Sequence, residues 1–138
     1  MLICDTSGLL AFFDASDAHN AVVTAAIDGD PGPFVVSPYV LAELDYLLAT
    51  RRGVPAQLTA LSELTGGAWD LATLDQADLG GARDIIDRYS DQAIGLADAS
   101  LVVLAHRYRT DRLLTLDRRH FHVLRTIAGK SFTLLPSA

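Results

Sequence analysis

The sequence predicts an α/β fold, with a central, mostly parallel β-sheet flanked by helices on both faces. Two observations carry this. Short apolar runs such as "LIC", "FVVS" and "RLLTL" recur along the chain, separated by longer segments of helical character. The runs are continuously apolar rather than alternating, as strands covered on both sides are. At 138 residues the chain is long enough to bury a core, and residues 1–138 are expected to form a single domain.

Each element has a local reason. "LICD" reads as a short buried strand, and "TSGLLAFFD" as a helix with Thr6 or Ser7 at its cap. "DAHNAVVTAAIDG" reads as a second helix, ended by Gly29 and the turn "DGDPGP". "FVVS" is a strand. Pro38 then opens a long helix, "PYVLAELDYLLATRRG", that stops at Gly53. "PAQLTALSELTGG" is a further helix and "AWDLATL" a strand. "DQADLGGARDIIDRYSD" is a helix weakened by Gly80 and Gly81. "GLADASLVVLAHRYRT" is a buried helix, "RLLTLD" a strand ending at Asp117, and "FTLLP" a last strand at an edge.

Composition narrows the function classes. Half the residues are hydrophobic and 20% are charged, a ratio that points to a self-association or partner surface. No apolar run approaches the ~20 residues of a membrane span, and no basic leader precedes the first apolar stretch. The single cysteine, Cys4, has no internal disulfide partner and suits a reducing cytoplasm. Net charge is -6, yet from Leu104 onward seven basic residues face two acidic ones. That basic third can meet phosphate locally, although a solvated surface is the plainer reading.

Four carboxylates are harder to explain as surface. Asp5 and Asp117 each end a predicted strand, at the edge where open α/β sheets place their ligands. Glu43 falls between Val40 and Leu47 on a helix, on an apolar stripe, whereas Asp45 points away with Arg52 and is expected to be solvated. Asp98 opens the buried helix, where the helix dipole also favours an acid. Each alone admits a structural role. Together at one sheet edge they would repel one another and raise each other's pKa. A divalent cation relieves that, and all-oxygen ligands select Mg²⁺ or Mn²⁺ over zinc. Such an ion supports in-line attack on a phosphodiester. No GxGxxG or GxxxxGK[ST] motif is present, Ser7 is not in a G-x-S-x-G setting, and the four histidines make no zinc pattern. "HFH" at 120–122 would put both rings together on a strand.

The combination resembles the PIN-domain ribonucleases, specifically the VapC-type toxins of bacterial toxin–antitoxin pairs. The resemblance spans the chain. It rests on "ICDTSGLLAFFD", "VVSPYVLAELDYLLATRRG", "DQAIGLADASLVVLAHRY" and "LLTLDRRHF", in that order. It implies a PIN-like fold and a Mg²⁺- or Mn²⁺-dependent endoribonuclease, with Asp5, Glu43, Asp98 and Asp117 as the acidic metal-binding and catalytic set. It makes Thr115 a hydroxyl that orients the acids. It also implies a homodimer, a VapB-type antitoxin partner and a structured RNA substrate, the sarcin–ricin loop of rRNA ahead of tRNA. Arg118, Arg119 and His120 follow Asp117 directly and are the first candidates for RNA contact; a capped surface turn is the alternative. Rival readings are another Mg-dependent phosphoryl-transfer enzyme and a non-catalytic PIN-like binding module. A dehalogenase-like phosphatase would need an acid where Ser7 stands, and a complete acidic set argues against a relic site.

Overall fold

The computed structural model describes residues 1–137. Five short strands, β1 (Leu2–Cys4), β2 (Phe34–Val36), β3 (Trp69–Leu71), β4 (Arg112–Leu114) and β5 (Thr133–Leu135), form one sheet in the order β3-β2-β1-β4-β5. Every pairing is parallel, so the sheet is wholly parallel. Seven helices connect the strands: α1 (Thr6–Phe13), α2 (Asn20–Asp28), α3 (Pro38–Arg52), α4 (Val54–Leu64), α5 (Gln76–Arg88), α6 (Leu96–Arg107) and α7 (Arg118–Val123). From β1 the chain steps through β2 to β3 on one side, then crosses to β4 and β5 on the other. Right-handed crossovers put the helices of opposite steps on opposite faces. Between β1 and β4 the direction of winding reverses, and there a crevice opens beyond the carboxyl ends of the strands.

The core explains the unbroken apolar runs. Leu2, Ile3, Cys4, Val35, Val36, Leu113 and Leu114 are buried, sandwiched by Leu9, Leu44, Leu48, Leu101 and Leu104 from the helices. Gly8 permits the tightest contact. A Cβ there would lie 2.9 Å from Leu114 Cγ and 3.0 Å from the Leu114 carbonyl oxygen. Gly8→Ala is therefore expected to push α1 off β4 and cost about 1–3 kcal/mol, as overpacked cores do. Urea denaturation checks this.

Several boundaries differ from the sequence reading. The strand expected through Asp117 ends at Leu114. The chain turns there because the Thr115 hydroxyl accepts the Asp117 N–H at 2.9 Å, a local bond that competes with the sheet ladder. Residues 118–123 form α7, so the two histidines of "HFH" sit on a helix, not a strand, and His122 is exposed. Asp5, rather than Thr6 or Ser7, occupies the N-cap position of α1, and its carboxylate makes no capping bond. α5 runs unbroken through Gly80 and Gly81, started by a reciprocal Asp75–Asp78 capping box.

The opposite edge of the sheet has its own buried acid. Asp30, with 3% of its side chain exposed, bonds the Arg112 guanidinium at 2.8 Å, the Gly32 N–H at 2.8 Å and the Met1 ammonium at 2.8 Å. Burial alone would raise its pKa, but these donors outweigh it and hold the carboxyl at about 2, below its ordinary 3.8. A depressed pKa adds stability above the unfolded value and loses it as pH falls through the folded one. Asp30→Asn is thus expected to cost about 2 kcal/mol at neutral pH. The deficit should shrink between about pH 4 and about pH 2. Thermal unfolding across that range measures it.

Candidate active site

The crevice between β1 and β4 is built from two loops. Asp5 leaves β1 and is 4% exposed; Thr115 leaves β4 and is fully buried. The Thr115 hydroxyl donates to Asp5 Oδ2 at 2.8 Å and the Ser7 hydroxyl donates to the same oxygen at 2.9 Å. Each hydroxyl in turn accepts a backbone N–H from the β4 exit loop, Thr115 from Asp117 and Ser7 from Leu116, both at 2.9 Å. Both hydroxyl protons are thereby directed at Asp5, and the loop carrying Asp117 is fastened to it. Sequence reasoning dismissed Ser7 as a nucleophile and missed this role. Its position two residues after a strand-end Asp, within side-chain reach of that carboxylate, was the available signal.

Asp98 lies in the first turn of α6, as expected. A buried hydroxyl pair fixes that turn against the start of α3. Ser100 donates to the Ala97 carbonyl at 2.6 Å, so Ser37 donates to Ser100 across 2.7 Å. The His120 imidazole then bridges two acids, with Nδ1 3.1 Å from Asp98 Oδ2 and 3.4 Å from Asp117 Oδ2. His120, a candidate RNA contact in the sequence because it follows Asp117 directly, therefore stands within the acidic cluster. Asp117 also caps α7, its side chain facing the His120 N–H at 3.5 Å.

Electrostatics mark the cluster. Burial raises the pKa of Asp5; the hydroxyls of Thr115 and Ser7 and a backbone bond at Thr6 oppose this, and the Asp117 charge adds to it. Asp98 is pushed up to about 6, first by burial and then by the charge of Asp5, with His120 opposing. Among the described residues no Arg or Lys forms an ion pair with Asp5, Asp98 or Asp117. Cys4, directly before Asp5, is fully buried, and burial drives its thiol pKa up, so it is no nucleophile.

Glu43 stands apart. It is exposed, with no hydrogen bond or ion pair among the described residues. The buried stripe of α3 runs through Val40, Leu44 and Leu48. At 3.6 residues per turn Glu43 lies about 100° round from the middle of that stripe, which corrects the expected apolar setting. Asp45 is the half-buried acid, accepting from Gln57 Nε2 at 2.7 Å, while Arg52 faces Asp14 at 3.6 Å. Of the basic candidates, Arg118 donates to the Pro136 carbonyl and Arg119 is exposed. No three His, Cys, Asp or Glu side chains among the described residues close round a single point.

Comparison with known proteins agrees with this architecture. The PIN domain family model matches residues 2–126. Ribonuclease VapC26 of Mycobacterium tuberculosis is 56% identical over 135 residues, 98% of this chain and 100% of that one. Among solved structures, M. tuberculosis VapC20, a sarcin–ricin-loop-cleaving toxin, superposes with a TM-score of 0.81 at 19% identity, covering 86% of this chain and 92% of that one. A toxin–antitoxin complex from Klebsiella pneumoniae gives 0.68 at 17% identity, covering 90% and 92%. FitAcB from Neisseria gonorrhoeae gives 0.60 at 15% identity, covering 97% and 96%. The three structural likenesses carry the fold; the family model and the near-full-length identity make this chain a member of the PIN-domain family, among its VapC-type ribonucleases.

Proposed function

We propose that the chain is a Mg²⁺- or Mn²⁺-dependent endoribonuclease toxin that hydrolyses a phosphodiester of a structured RNA. The observation that carries this is the cluster of Asp5, Asp98 and Asp117 at the switch point. Its acids lack Arg or Lys partners among the described residues, and two of them have raised pKa values. The donor set fits a hard divalent cation in kind, being all carboxylate oxygen. On the residue after Asp5, Thr6 Oγ1 is buried and has no hydrogen-bond partner among the described residues.

Asp5, Asp98 and Asp117 would hold the cation, with Glu43 joining from α3 as the family resemblance implies. When bound, the cation supplies an activated water and charge stabilisation for in-line displacement at phosphorus. The chain's own residues do the rest. Ser7 and Thr115 fix Asp5 Oδ2 and leave the carboxylate a single orientation. Ser37 and Ser100 hold the α6 turn that presents Asp98. His120 Nδ1 stands between Asp98 and Asp117 and positions both carboxylates. Arg119, exposed beside Asp117, is available to an RNA phosphate.

The same reading takes residues 1–138 as one catalytic unit that works in the cytoplasm as a homodimer restrained by a VapB-type antitoxin. No helix among the described residues is long and apolar enough to cross a membrane. Exposed Tyr46, Val54 and Leu58 on α3 and α4 supply apolar surface for a partner. The sarcin–ricin loop is the favoured target over tRNA, supported by the likeness of "SPYVLAELDYLLATRRG" to the rRNA-cutting branch of the family and by the fold shared with VapC20, a sarcin–ricin-loop-cleaving toxin. The test is incubation of purified ribosomes and total tRNA with the protein, in Mn²⁺ or in EDTA, with mapping of new 5′ ends. A single metal-dependent cut in the large-subunit RNA is expected. Metal-independent or absent cleavage of both pools by folded, antitoxin-free protein would overturn the reading.

A further inference from the structure

The structure sorts the seven basic residues of the C-terminal third. Arg107 pairs with Asp78 and Arg112 with Asp30. Arg118 donates to the Pro136 carbonyl, and Arg125 donates to the carbonyls that end α7. These four are engaged within the fold. Arg109, Arg119 and Lys130 have no side-chain hydrogen bond or ion pair among the described residues, and all three are exposed. Arg119 belongs to the catalytic edge. Arg109 and Lys130 are far apart in sequence, yet both line one open cavity of about 720 Å³ with His106, Thr110 and Asp111.

This cavity lies at the other end of β4. Asp111 precedes the strand and Thr115 follows it, four extended residues or about 13 Å away. Cations at the carboxyl end of α6 suit the helix dipole, which accounts for His106 and Arg109. It does not account for Lys130, which the 126–130 turn brings in from a separate segment, its N–H bonded to Thr126 Oγ1 at 3.0 Å. Arg109 also holds a position that favours another residue. It sits just past the α6 cap at φ 53, where the Thr110 N–H reaches back to the Ala105 carbonyl at 3.0 Å. Helices that end this way usually place glycine there. An arginine in glycine's place, lining one cavity with a lysine and a histidine on an acidic protein, suits an anion.

We propose that this cavity is a second phosphate-binding site for the RNA substrate, engaging its backbone through Arg109 and Lys130 while the carboxylate cluster acts at the opposite edge of the sheet. A folded RNA is wide enough to touch both. The proposal rests on the ribonuclease reading for its ligand. Backbone contacts of this kind add affinity and register, not sequence readout.

The test is binding of labelled bulk tRNA and of a ribosomal RNA fragment in EDTA, so that cleavage is off, across a salt series. Wild type, Arg109→Gly and the Arg109→Gly/Lys130→Gln pair are compared. Arg109→Gly should raise the melting temperature, since glycine relieves the left-handed residue, and should still weaken binding. The pair should bind at least about tenfold more weakly, with the log–log salt slope reduced by about 1.5, the yield of two phosphate contacts. Unchanged affinity and slope in the pair would overturn the proposal, as would absence of salt-dependent binding by wild type. Retained RNA binding with loss of inhibition by a co-expressed antitoxin would assign the cavity to that protein and overturn it too. Cleavage in Mn²⁺ is scored separately: binding through the cavity without cleavage would sink the ribonuclease reading alone, and cleavage with an unchanged slope would sink the cavity alone.

Discussion

Replacing Asp98 by asparagine is expected to abolish RNA cleavage while making the metal-free protein more stable. The two effects share a cause. Folding buries Asp98 near Asp5 and raises its pKa from 3.8 to about 6. A raised carboxyl pKa means that the folded protein holds the proton more tightly than the unfolded chain. That contribution is fully present below the unfolded value and is lost as pH rises through the folded one. At neutral pH the charged carboxylate is thus a liability, on the order of 1–3 kcal/mol for a shift of this size. Asparagine removes the charge and keeps the shape. The variant should melt higher at neutral pH, and the gain should vanish below about pH 4. Cleavage should fall by at least ~10³, because Asp98 would help hold the cation, whose charge stabilisation is worth several kcal/mol. Adding Mn²⁺ should raise the melting temperature of wild type and leave that of the variant nearly unchanged. Differential scanning in EDTA and in Mn²⁺, beside a cleavage assay, reads all of this.

Thr115→Val is expected to harm both stability and activity, in contrast to Thr115→Ser. The Thr115 hydroxyl is fully buried and has two obligations, accepting the Asp117 N–H and donating to Asp5. Valine keeps the volume and deletes both bonds. An unsatisfied buried group costs about 1–3 kcal/mol, so a loss of about 2–4 kcal/mol is expected, partly offset by Ser7 remaining on Asp5. Activity should drop about 10–100-fold, the usual toll when a partner orienting a metal ligand is lost. Serine retains the hydroxyl and should recover most of the activity. Mn²⁺ affinity separates the roles: valine should weaken it, whereas a purely structural Thr115 would leave it unchanged in folded protein.

Much of this was legible because the folding rules are local. The apolar runs became strands because their Leu, Ile and Val side chains are buried from both faces, and Pro38 and Gly53 bounded a helix for backbone reasons. Asp5 and Asp98 were placed correctly because one follows a strand and the other opens a buried helix. The misreadings came where tertiary contacts decide. Glu43 was assigned to the apolar face because Val40 and Leu47 flank it, but the sheet selects Val40, Leu44 and Leu48, and the stripe rotates away. "LLTLD" looked like strand throughout, yet a hydroxyl three residues in captures the backbone and turns the chain. His120 was a candidate RNA contact because it follows Asp117 directly; that α7 turns its ring in between Asp98 and Asp117 is a tertiary fact that no local pattern shows. No local pattern shows the Ser37–Ser100 bond or the convergence of Arg109 with Lys130, because each joins segments distant along the chain.

A divalent cation is expected to neutralise the acids at the carboxyl ends of β1 and β4. Calorimetric titration of Mn²⁺ into the metal-free protein at neutral pH tests it most directly. Saturable uptake is expected, with release of protons because the Asp98 carboxyl is pushed up to about 6, and with loss of uptake in Asp98→Asn and in Asp5→Asn. Absence of uptake by folded wild-type protein, or uptake undiminished in both variants, would contradict it.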